Sequence, residues 1–302
     1  MRKLIVSLVS AIILAILGFF GVRYMNSFSP RQTEKSENGS KVAIEELSYL
    51  EGDIKIFGKL YRPAEAALKG TEMSRRKFPT VVFCHGLGMT CDYWHSWCRA
   101  LAGEGFVAYA FDFQGGAMQN SRSTGDIMNM TQETEREDLA MVMKRLRKEH
   151  FVDKDSIFLV GHSLGGLVAS QYAAGDGKRL LRGLVLMAPA FNIHDDAIAL
   201  YPKSKEIQDT TLLMGCTLGK EYFATARKTD PYKWLRRFDK PVLVLGAGND
   251  DKVPAEYLEK AAESFPEATL QMIDRGDHLF TAMARKEALN AVEGFITGKE
   301  SE

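Results

Sequence analysis

One serine lies in a pattern that could make it a nucleophile: Gly161-His162-Ser163-Leu164-Gly165. The apolar run "SIFLVG" leads into it and the small-residue run "GGLVASQYAA" leads out. A strand, a tight turn and a helix in that order form a nucleophile elbow, which exposes the serine hydroxyl above the sheet. The bare pattern arises by chance in roughly one chain in ten of this length, so it needs support from partner residues.

A serine hydroxyl is a poor nucleophile at neutral pH and requires a base. We favour His278, because "DRGDHLF" follows the last predicted strand and its loop opens at the same sheet edge as the elbow. His162 adjoins the serine but would point away from it, and His194 could line a pocket. The other histidines are His85, His95 and His150.

The imidazole of such a base needs a carboxylate to fix its tautomer. "LGAGNDDKVP" places Asp250 and Asp251 just beyond a strand and before His278, which gives the chain order Ser, Asp, His. Only one of the two neighbours can face His278, and Asp112, Asp274 and Asp277 are lesser candidates for this role. We prefer Asp250, and we expect Asp251 to face solvent or cap the helix that begins near Pro254.

Acyl transfer also needs two donors for the developing oxyanion. The backbone N–H of Leu164, directly after the serine, is one candidate. The loop "CHGLG" after the first parallel strand should supply the second, and we choose the N–H of Leu87. His85 would then hold this loop and take no part in proton transfer.

Short apolar runs alternate with helical patterns from residue 80 onward, which predicts an α/β fold with a mostly parallel sheet covered on both faces. The runs are "TVVFC", "FVAYAFDF", "SIFLVG", "GLVLMAP", "PVLVLGA" and "TLQMID". A hairpin around Glu51-Gly52-Asp53 precedes them. Thr131 or Thr134 could cap the helix in "EDLAMVMKRLRKEH", and Thr134 with Glu137 matches a capping box.

Residues 192–238 interrupt this rhythm, because a simple crossover between two strands needs far fewer residues. The segment is rich in aromatic and sulfur-containing side chains, including Tyr222 and Trp234. It could consist of extra helices packed on the sheet. We favour the alternative, an inserted cap over the strand ends.

The N-terminal residues predict a membrane anchor. Arg2 and Lys3 precede a stretch, residues 4–22, without any charge, which is close to the roughly 20 residues a helix needs to span a bilayer. We expect a transmembrane signal anchor over 1–25, a polar tether over 26–42 and a folded domain over 43–299 that faces the extracytoplasmic side. The alternative is a cleaved signal and a secreted domain.

Composition argues against other classes of function. Lys plus Arg and Asp plus Glu number 39 each, so no basic surplus suggests a nucleic-acid partner. None of the four cysteines forms a C-x-x-C pair, so a zinc ribbon is not expected, although a Cys91–Cys98 disulfide could form outside the cytosol. Nothing in the motifs calls for a metal or cofactor.

Four ordered motifs, "HGLG", "GHSLGG", "GNDDKVP" and "GDHLF", make residues 46–298 resemble the α/β-hydrolase superfamily. The chain looks most like the bacterial cinnamoyl and feruloyl esterase-type serine hydrolases, and the stretch "FDFQGGAMQNSRSTGDIMNMT" adds to this resemblance. It implies that Tyr222, in the cap, helps to bind the phenolic end of a substrate. The group often has glutamine where this chain has Leu164.

We therefore expect a membrane-tethered serine carboxylesterase that acts on a small-molecule ester through an acyl-enzyme. Its acyl group could be short or aromatic. A lipase or lysophospholipase, or a prolyl-oligopeptidase-like peptidase, would use the same three side chains on another bond. A non-enzymatic binding module is the least favoured alternative, because the set of catalytic residues is complete.

Overall fold

The computed structural model describes residues 26–28, 31–36, 38–68 and 70–298. The predicted anchor over 1–25 lies outside these residues. Within the described ranges, no helix combines the length and the apolar character that crossing a bilayer would require.

The strands are β1 (Asn26–Phe28), β2 (Gln32–Lys35), β3 (Lys41–Glu51), β4 (Ile54–Ile56), β5 (Gly58–Pro63), β6 (Phe78–Cys84), β7 (Val107–Phe111), β8 (Val152–His162), β9 (Gly183–Met187), β10 (Thr210–Leu213), β11 (Cys216–Gly219), β12 (Val242–Ala247) and β13 (Ala268–Ile273). The α-helices are α1 (His95–Gly103), α2 (Gln132–Leu146), α3 (Leu164–Ala174), α4 (Ile193–Leu200), α5 (Lys220–Ala226), α6 (Ala255–Ser264) and α7 (Ala282–Thr297). Short 3-10 turns span Ala64–Ala67, Met73–Arg75, Cys91–Trp94, Ile127–Asn129, Ser204–Glu206 and Leu235–Arg237.

The centre of the sheet is parallel, in the order β7-β6-β8-β9-β12-β13. Antiparallel pairing extends it from β7 to β5, β3 and β1. The prediction of a mostly parallel sheet is confirmed. Because parallel strands point the same way, the loops that follow β6, β8, β12 and β13 open at one edge of the sheet.

Both faces of the sheet are buried, as predicted. In β6, Val81 and Phe83 join the core cluster that contains α1 and α7, whereas Val82 and Cys84 join the cluster that contains α2 and α3. This alternation is what a strand with a period of two requires when helices cover both of its faces. The strands are therefore held rigidly under the loops at their ends.

Helix α2 begins at Gln132 and is capped by Thr131. The Thr131 Oγ1 accepts a hydrogen bond from the Thr134 N–H at 3.1 Å, and the Thr134 Oγ1 accepts one from the Thr131 N–H at 2.9 Å. Thr131 is one of the two predicted caps. A box formed by Thr134 and Glu137 is wrong, because Thr134 already lies inside the first turn.

The segment predicted as a polar tether contains two strands. β2 pairs with residues 41–44 of β3, and β1 pairs with residues 47–49. A polar strand can still pair at the edge of a sheet, because its outer side faces water. The composition of 26–42 therefore predicted its polarity but not this pairing.

The four cysteines are free and buried, so no Cys91–Cys98 disulfide forms. Burial raises the pKa of both thiols well above the ordinary range. Both residues therefore act as small core side chains in their neutral form.

Candidate active site

Ser163 occupies a strained turn between the end of β8 and the start of α3. Its φ of 53° and ψ of −120° lie in a region that a residue with a side chain rarely adopts. Two hydrogen bonds hold this conformation: the Ser163 N–H donates to the Met187 carbonyl at 2.9 Å, and the Ala190 N–H donates to the Ser163 carbonyl at 3.0 Å. The turn projects the side chain from the edge where the parallel strands end.

The flanking glycines are required by close backbone approach. A Cβ at Gly161 would overlap the Gly165 carbonyl, and a Cβ at Gly165 would overlap the His85 carbonyl. Any larger residue at either position would push β8, α3 or the loop after β6 out of place. The G-x-S-x-G spacing thus reflects contacts with two neighbouring segments.

Three side chains from separate loops form a continuous hydrogen-bonded chain. His278 Nε2 lies 2.9 Å from Ser163 Oγ, and His278 Nδ1 lies 2.8 Å from Asp250 Oδ2. The His278 and Asp250 side chains are 8% and 2% exposed. The structure therefore brings the nucleophile, base and acid candidates together, although they are far apart in sequence.

The second oxygen of Asp250 is also occupied, since Oδ1 accepts the N–H groups of Lys252 at 2.8 Å and Val253 at 3.0 Å. Burial alone would raise the pKa of Asp250, but the hydrogen bonds and charge of His278 and these backbone donors lower it overall. Asp250 is therefore an anion that accepts the His278 Nδ1–H. The tautomer this requires leaves Nε2 free to accept the serine proton.

Asp251 does not reach His278. Its carboxylate pairs with Lys252 Nζ at 2.9 Å, and its side chain is 75% exposed. The choice between the two adjacent aspartates is thus decided by the turn after β12, which directs the first inward and the second to solvent.

His85 connects the loop after β6 to the loop after β7. The Phe113 N–H donates to His85 Nε2 at 3.0 Å, so the ring proton is on Nδ1, which donates to the Gly86 carbonyl at 2.9 Å. Burial lowers the pKa of His85. The neutral ring therefore links these two loops, in agreement with the prediction that His85 holds the loop after β6.

Leu87 and Leu164 both line the cavity that contains Ser163. Leu164 opens α3, so its N–H belongs to the first turn, where backbone donors have no intrahelical acceptor. Next to Leu87, the Gly88 N–H donates to the Gly116 carbonyl at 2.8 Å. The two predicted oxyanion donors therefore belong to fixed elements on the same cavity wall.

A cavity of about 540 Å³ opens at Ser163 and is largely apolar. Its apolar lining combines residues of the loops that carry Ser163 and Asp250 with residues of the inserted segment: Leu87, Leu164, Ala190, Ile193, Ala197, Ala199, Leu200, Leu213, Met214, Phe223 and Val253. The segment 192–238 thus forms part of the cavity wall. A second cavity of about 390 Å³ is lined by Arg136 and Trp234, among others, and by none of Ser163, Asp250 and His278.

The cavity at Ser163 also has a polar part, formed by Asn192 and Asp196, which the sequence did not predict. Asn192 Nδ2 donates to Asp196 Oδ2 at 2.7 Å and to the Lys252 carbonyl at 2.9 Å, which leaves Oδ1 without a partner among the described residues. Asn192 is 7% exposed, and burial raises the pKa of Asp196. The only signal in the sequence was an asparagine before an apolar helix, which also describes an ordinary cap.

Tyr222 lies on α5 and lines the same cavity, where it is 2% exposed. Burial raises the pKa of its phenol above the ordinary value, so the hydroxyl stays protonated. His194 is not among the residues that line this cavity, and its Nδ1 lies 3.0 Å from the Ala226 carbonyl within the inserted segment.

Comparison with known proteins adds two kinds of match. The family described as "Serine aminopeptidase, S33" matches residues 76–213, somewhat less than half of the chain. Dipeptidyl-peptidase 5 of Porphyromonas gingivalis is 23% identical over 200 residues, which are 63% of this chain. The match spans only 28% of that longer protein.

Solved structures are similar over nearly the whole domain. Est1E from Butyrivibrio proteoclasticus, with ferulic acid bound, superposes with a TM-score of 0.72 at 21% identity and covers 82% of this chain and 96% of its own. Acetyl xylan esterase from Paenibacillus sp. R4 has a TM-score of 0.65 at 15% identity, covering 92% of this chain and 89% of its own. At these identities the likeness establishes the arrangement of strands and helices.

Proposed function

We propose that this chain, a serine hydrolase with the α/β-hydrolase fold, cleaves carboxylic esters through an acyl-enzyme on Ser163. The observation that carries the proposal is the unbroken hydrogen-bonded chain from Asp250 through His278 to Ser163 at the mouth of an apolar cavity. The strained turn at Ser163 further supports it, since such strain is characteristic of functional positions.

In the first step, Ser163 Oγ attacks the ester carbonyl carbon while its proton moves to His278 Nε2. Asp250 stabilises the imidazolium that forms. The carbonyl oxygen becomes an oxyanion, and the N–H groups of Leu87 and Leu164 are the donors proposed to bind it. The intermediate then collapses: the bond to the alcohol oxygen breaks, and the alcohol leaves with the proton from His278.

The second step reverses these roles with water as the nucleophile. Water attacks the acyl carbon and transfers a proton to His278 Nε2, and a second tetrahedral intermediate forms. Its collapse breaks the bond to Ser163 Oγ, which recovers the proton from His278. The free acid is released, and the enzyme returns to its starting state.

The cavity favours an acyl group with an apolar body and a hydrogen-bond donor at its far end. The apolar lining suits an aromatic ring or a short alkyl chain. The carboxylate of Asp196, which is exposed and lines this cavity, would receive a hydroxyl, with the phenol of Tyr222 on the same lining. The ferulic acid bound to Est1E has such a phenolic group, so a cinnamoyl-type or smaller acyl ester is our proposed substrate.

Amide hydrolysis is the second candidate. The match to the serine aminopeptidase family and to dipeptidyl-peptidase 5 favours it, and the same nucleophile and base would serve. We place it second because the apolar cavity offers little for an extended peptide. A lipase or lysophospholipase activity would use the same cavity with a longer acyl chain.

We also propose that the chain is anchored in a membrane through residues 4–22, with the hydrolase domain on the extracytoplasmic side. The uncharged run and the positive charge before it support this. Protease treatment of right-side-out vesicles would test it: the domain should be digested, and its protection would contradict the proposed orientation.

Labelling with a fluorophosphonate probe tests the proposed activity. Wild-type protein should be labelled at Ser163, the Ser163→Ala variant should not, and the two should have the same thermal stability. Parallel assays with nitrophenyl esters, methyl ferulate, a long-chain monoacylglycerol and a peptide amide would rank the substrate classes. Cleavage of the amide without cleavage of any ester would overturn the esterase proposal.

A further inference from the structure

His162 is a buried titratable residue that the mechanism above does not use. It ends β8 immediately before the nucleophile and is fully buried. Its Nε2 lies 2.7 Å from the main-chain carbonyl oxygen of His278. A carbonyl can only accept, so the ring carries its proton on Nε2 and donates it to the backbone of the catalytic base.

The ring also contacts the segments on either side of the nucleophile. Its ring centroid lies 5.2 Å from that of Tyr93 and 4.9 Å from that of His278. A Cβ at Gly86 would lie 3.0 Å from His162 Nδ1. His162 therefore packs against the base loop and against the loop that carries Leu87.

The surroundings of His162 keep its ring neutral. Burial, and then the nearby His278, lower its pKa to about 3, against weaker opposing effects of the His278 carbonyl and of Asp250. The other titratable groups that face it are His85, which lowers its pKa further, and Tyr93, whose own pKa burial raises. A neutral ring adds no positive charge beside His278 when His278 accepts the serine proton.

We propose that His162 is a positioning residue for the catalytic base, and that its Nε2–H fixes the main chain of His278 while Asp250 fixes the imidazole. The proposal rests on the proposed function, since it assigns His278 as that base. The main chain on either side of His278 is held at two further points, since the Asn249 N–H donates to the Gly276 carbonyl at 2.8 Å and the Tyr93 hydroxyl donates to the Leu279 carbonyl at 3.0 Å. The bond from His162 reaches the carbonyl of His278 itself. A displacement of about 1 Å at a reacting group can cost roughly a hundredfold in rate.

Two amide variants form a matched test. The side-chain nitrogen of glutamine in His162→Gln falls near the position of the histidine Nε2 and can still donate to the His278 carbonyl. In His162→Asn the amide is one methylene shorter, near the position of Nδ1, and cannot reach it. His162→Asn also leaves the buried His278 carbonyl without this donor, so it should be less stable than His162→Gln by about 1–3 kcal/mol. Urea unfolding measures this difference, and the kinetics are compared under conditions where both variants are folded.

The measurements are kcat and KM for a nitrophenyl ester and the rate of fluorophosphonate labelling, on the full chain. We expect His162→Asn to lower kcat and the labelling rate by about a hundredfold, with KM within about twofold, and His162→Gln to retain activity within about tenfold of wild type. In a His278→Ala background the two variants should have equal residual activity, because the group that His162 positions is gone.

Equal kcat values for His162→Asn and wild type would overturn the inference, as would equal losses in both amide variants. A loss that persists unchanged in the His278→Ala background would do the same, because it would show that His162 acts elsewhere. Absence of labelling in the wild-type protein is a different result. It would overturn the proposed serine hydrolase mechanism itself.

Discussion

The loops that carry Ser163, Asp250 and His278 satisfy their polar groups differently from the inserted segment at 192–238. Asp250, His278 and Ser163 bond to one another or to the backbone. In the inserted segment, Asn192 bonds through its nitrogen to Asp196 and to the Lys252 carbonyl, and its buried oxygen has no partner among the described residues. A complete network orients reacting groups before substrate arrives. A buried acceptor without a donor costs free energy.

The largest expected effect lies in the complete network and compares two adjacent carboxylates. Asp250→Asn should lower kcat by about 10⁴-fold, because an amide cannot maintain the required tautomer and charge of the base. Asp251→Asn should leave kcat for a nitrophenyl ester within about twofold, because its partner is an exposed lysine. The reverse ranking would show that the acid is Asp251 and that the turn after β12 is different in solution.

A second pair of substitutions compares the steric limits of the two regions. Gly165→Ala would force a Cβ against the His85 carbonyl and should cost about 3 kcal/mol of unfolding free energy, together with a loss of kcat. Gly219→Ala would force a Cβ against the Met128 carbonyl, where the inserted segment meets the 3-10 turn at 127–129.

The Gly219→Ala variant should raise KM and leave kcat within about threefold, since it shifts the cavity wall and not the catalytic loops. Urea unfolding and steady-state kinetics would measure both effects. If Gly219→Ala lowered kcat as strongly as Gly165→Ala, the inserted segment and the loop of Ser163 would not be independent.

The Asp196 carboxylate should discriminate between substrates with and without a distal hydroxyl. Methyl 3-(4-hydroxyphenyl)propanoate and methyl 3-phenylpropanoate differ only in a hydroxyl. Asp196→Ala should lower kcat/KM for the first by about tenfold to a hundredfold, because a hydroxyl desolvated without an acceptor loses about 1–3 kcal/mol. The second ester serves as the control and should change by less than about threefold. Equal losses for both would mean that Asp196 acts by holding Asn192 and not by binding substrate.

Most of the arrangement of Ser163, Asp250 and His278 could be predicted from sequence, because the constraints on their loops are local. The glycines around Ser163 and the apolar runs before each loop are set by short-range geometry, and parallel strands then bring the loop ends to one edge. The mostly parallel sheet was confirmed on this basis. The distinction between Asp250 and Asp251 needed more, since both follow the same strand and only the turn decides which faces inward.

The inserted segment at 192–238 was less predictable, because its contacts depend on how an irregular segment packs. The aromatic content of 192–238 suggested a cap, but no periodic pattern identified Asn192 or Asp196 as lining residues. The polar sequence of β2 likewise did not predict that this strand pairs with β3. In both places tertiary contacts, and not local propensity, determine the structure.

The smallest effect on activity concerns Glu135, a fully buried residue of α2. Neither of its carboxylate oxygens has a hydrogen-bond partner among the described residues, and burial, followed by the charge of Asp138, raises its pKa well above the ordinary value. The unfolded chain releases this proton near pH 4.3, so above that pH the folded state binds more protons and the free energy of unfolding falls as pH rises. Glu135→Gln removes this dependence. Its unfolding free energy should equal that of wild type below about pH 4 and exceed it above that pH by a margin that grows by about 1.4 kcal/mol per pH unit, up to the raised pKa of Glu135. Glu133→Gln, at an exposed position of the same helix, is the control. A stabilisation by Glu135→Gln that is independent of pH would instead indicate better packing, and would contradict a buried Glu135 carboxyl that stays protonated above pH 4.3.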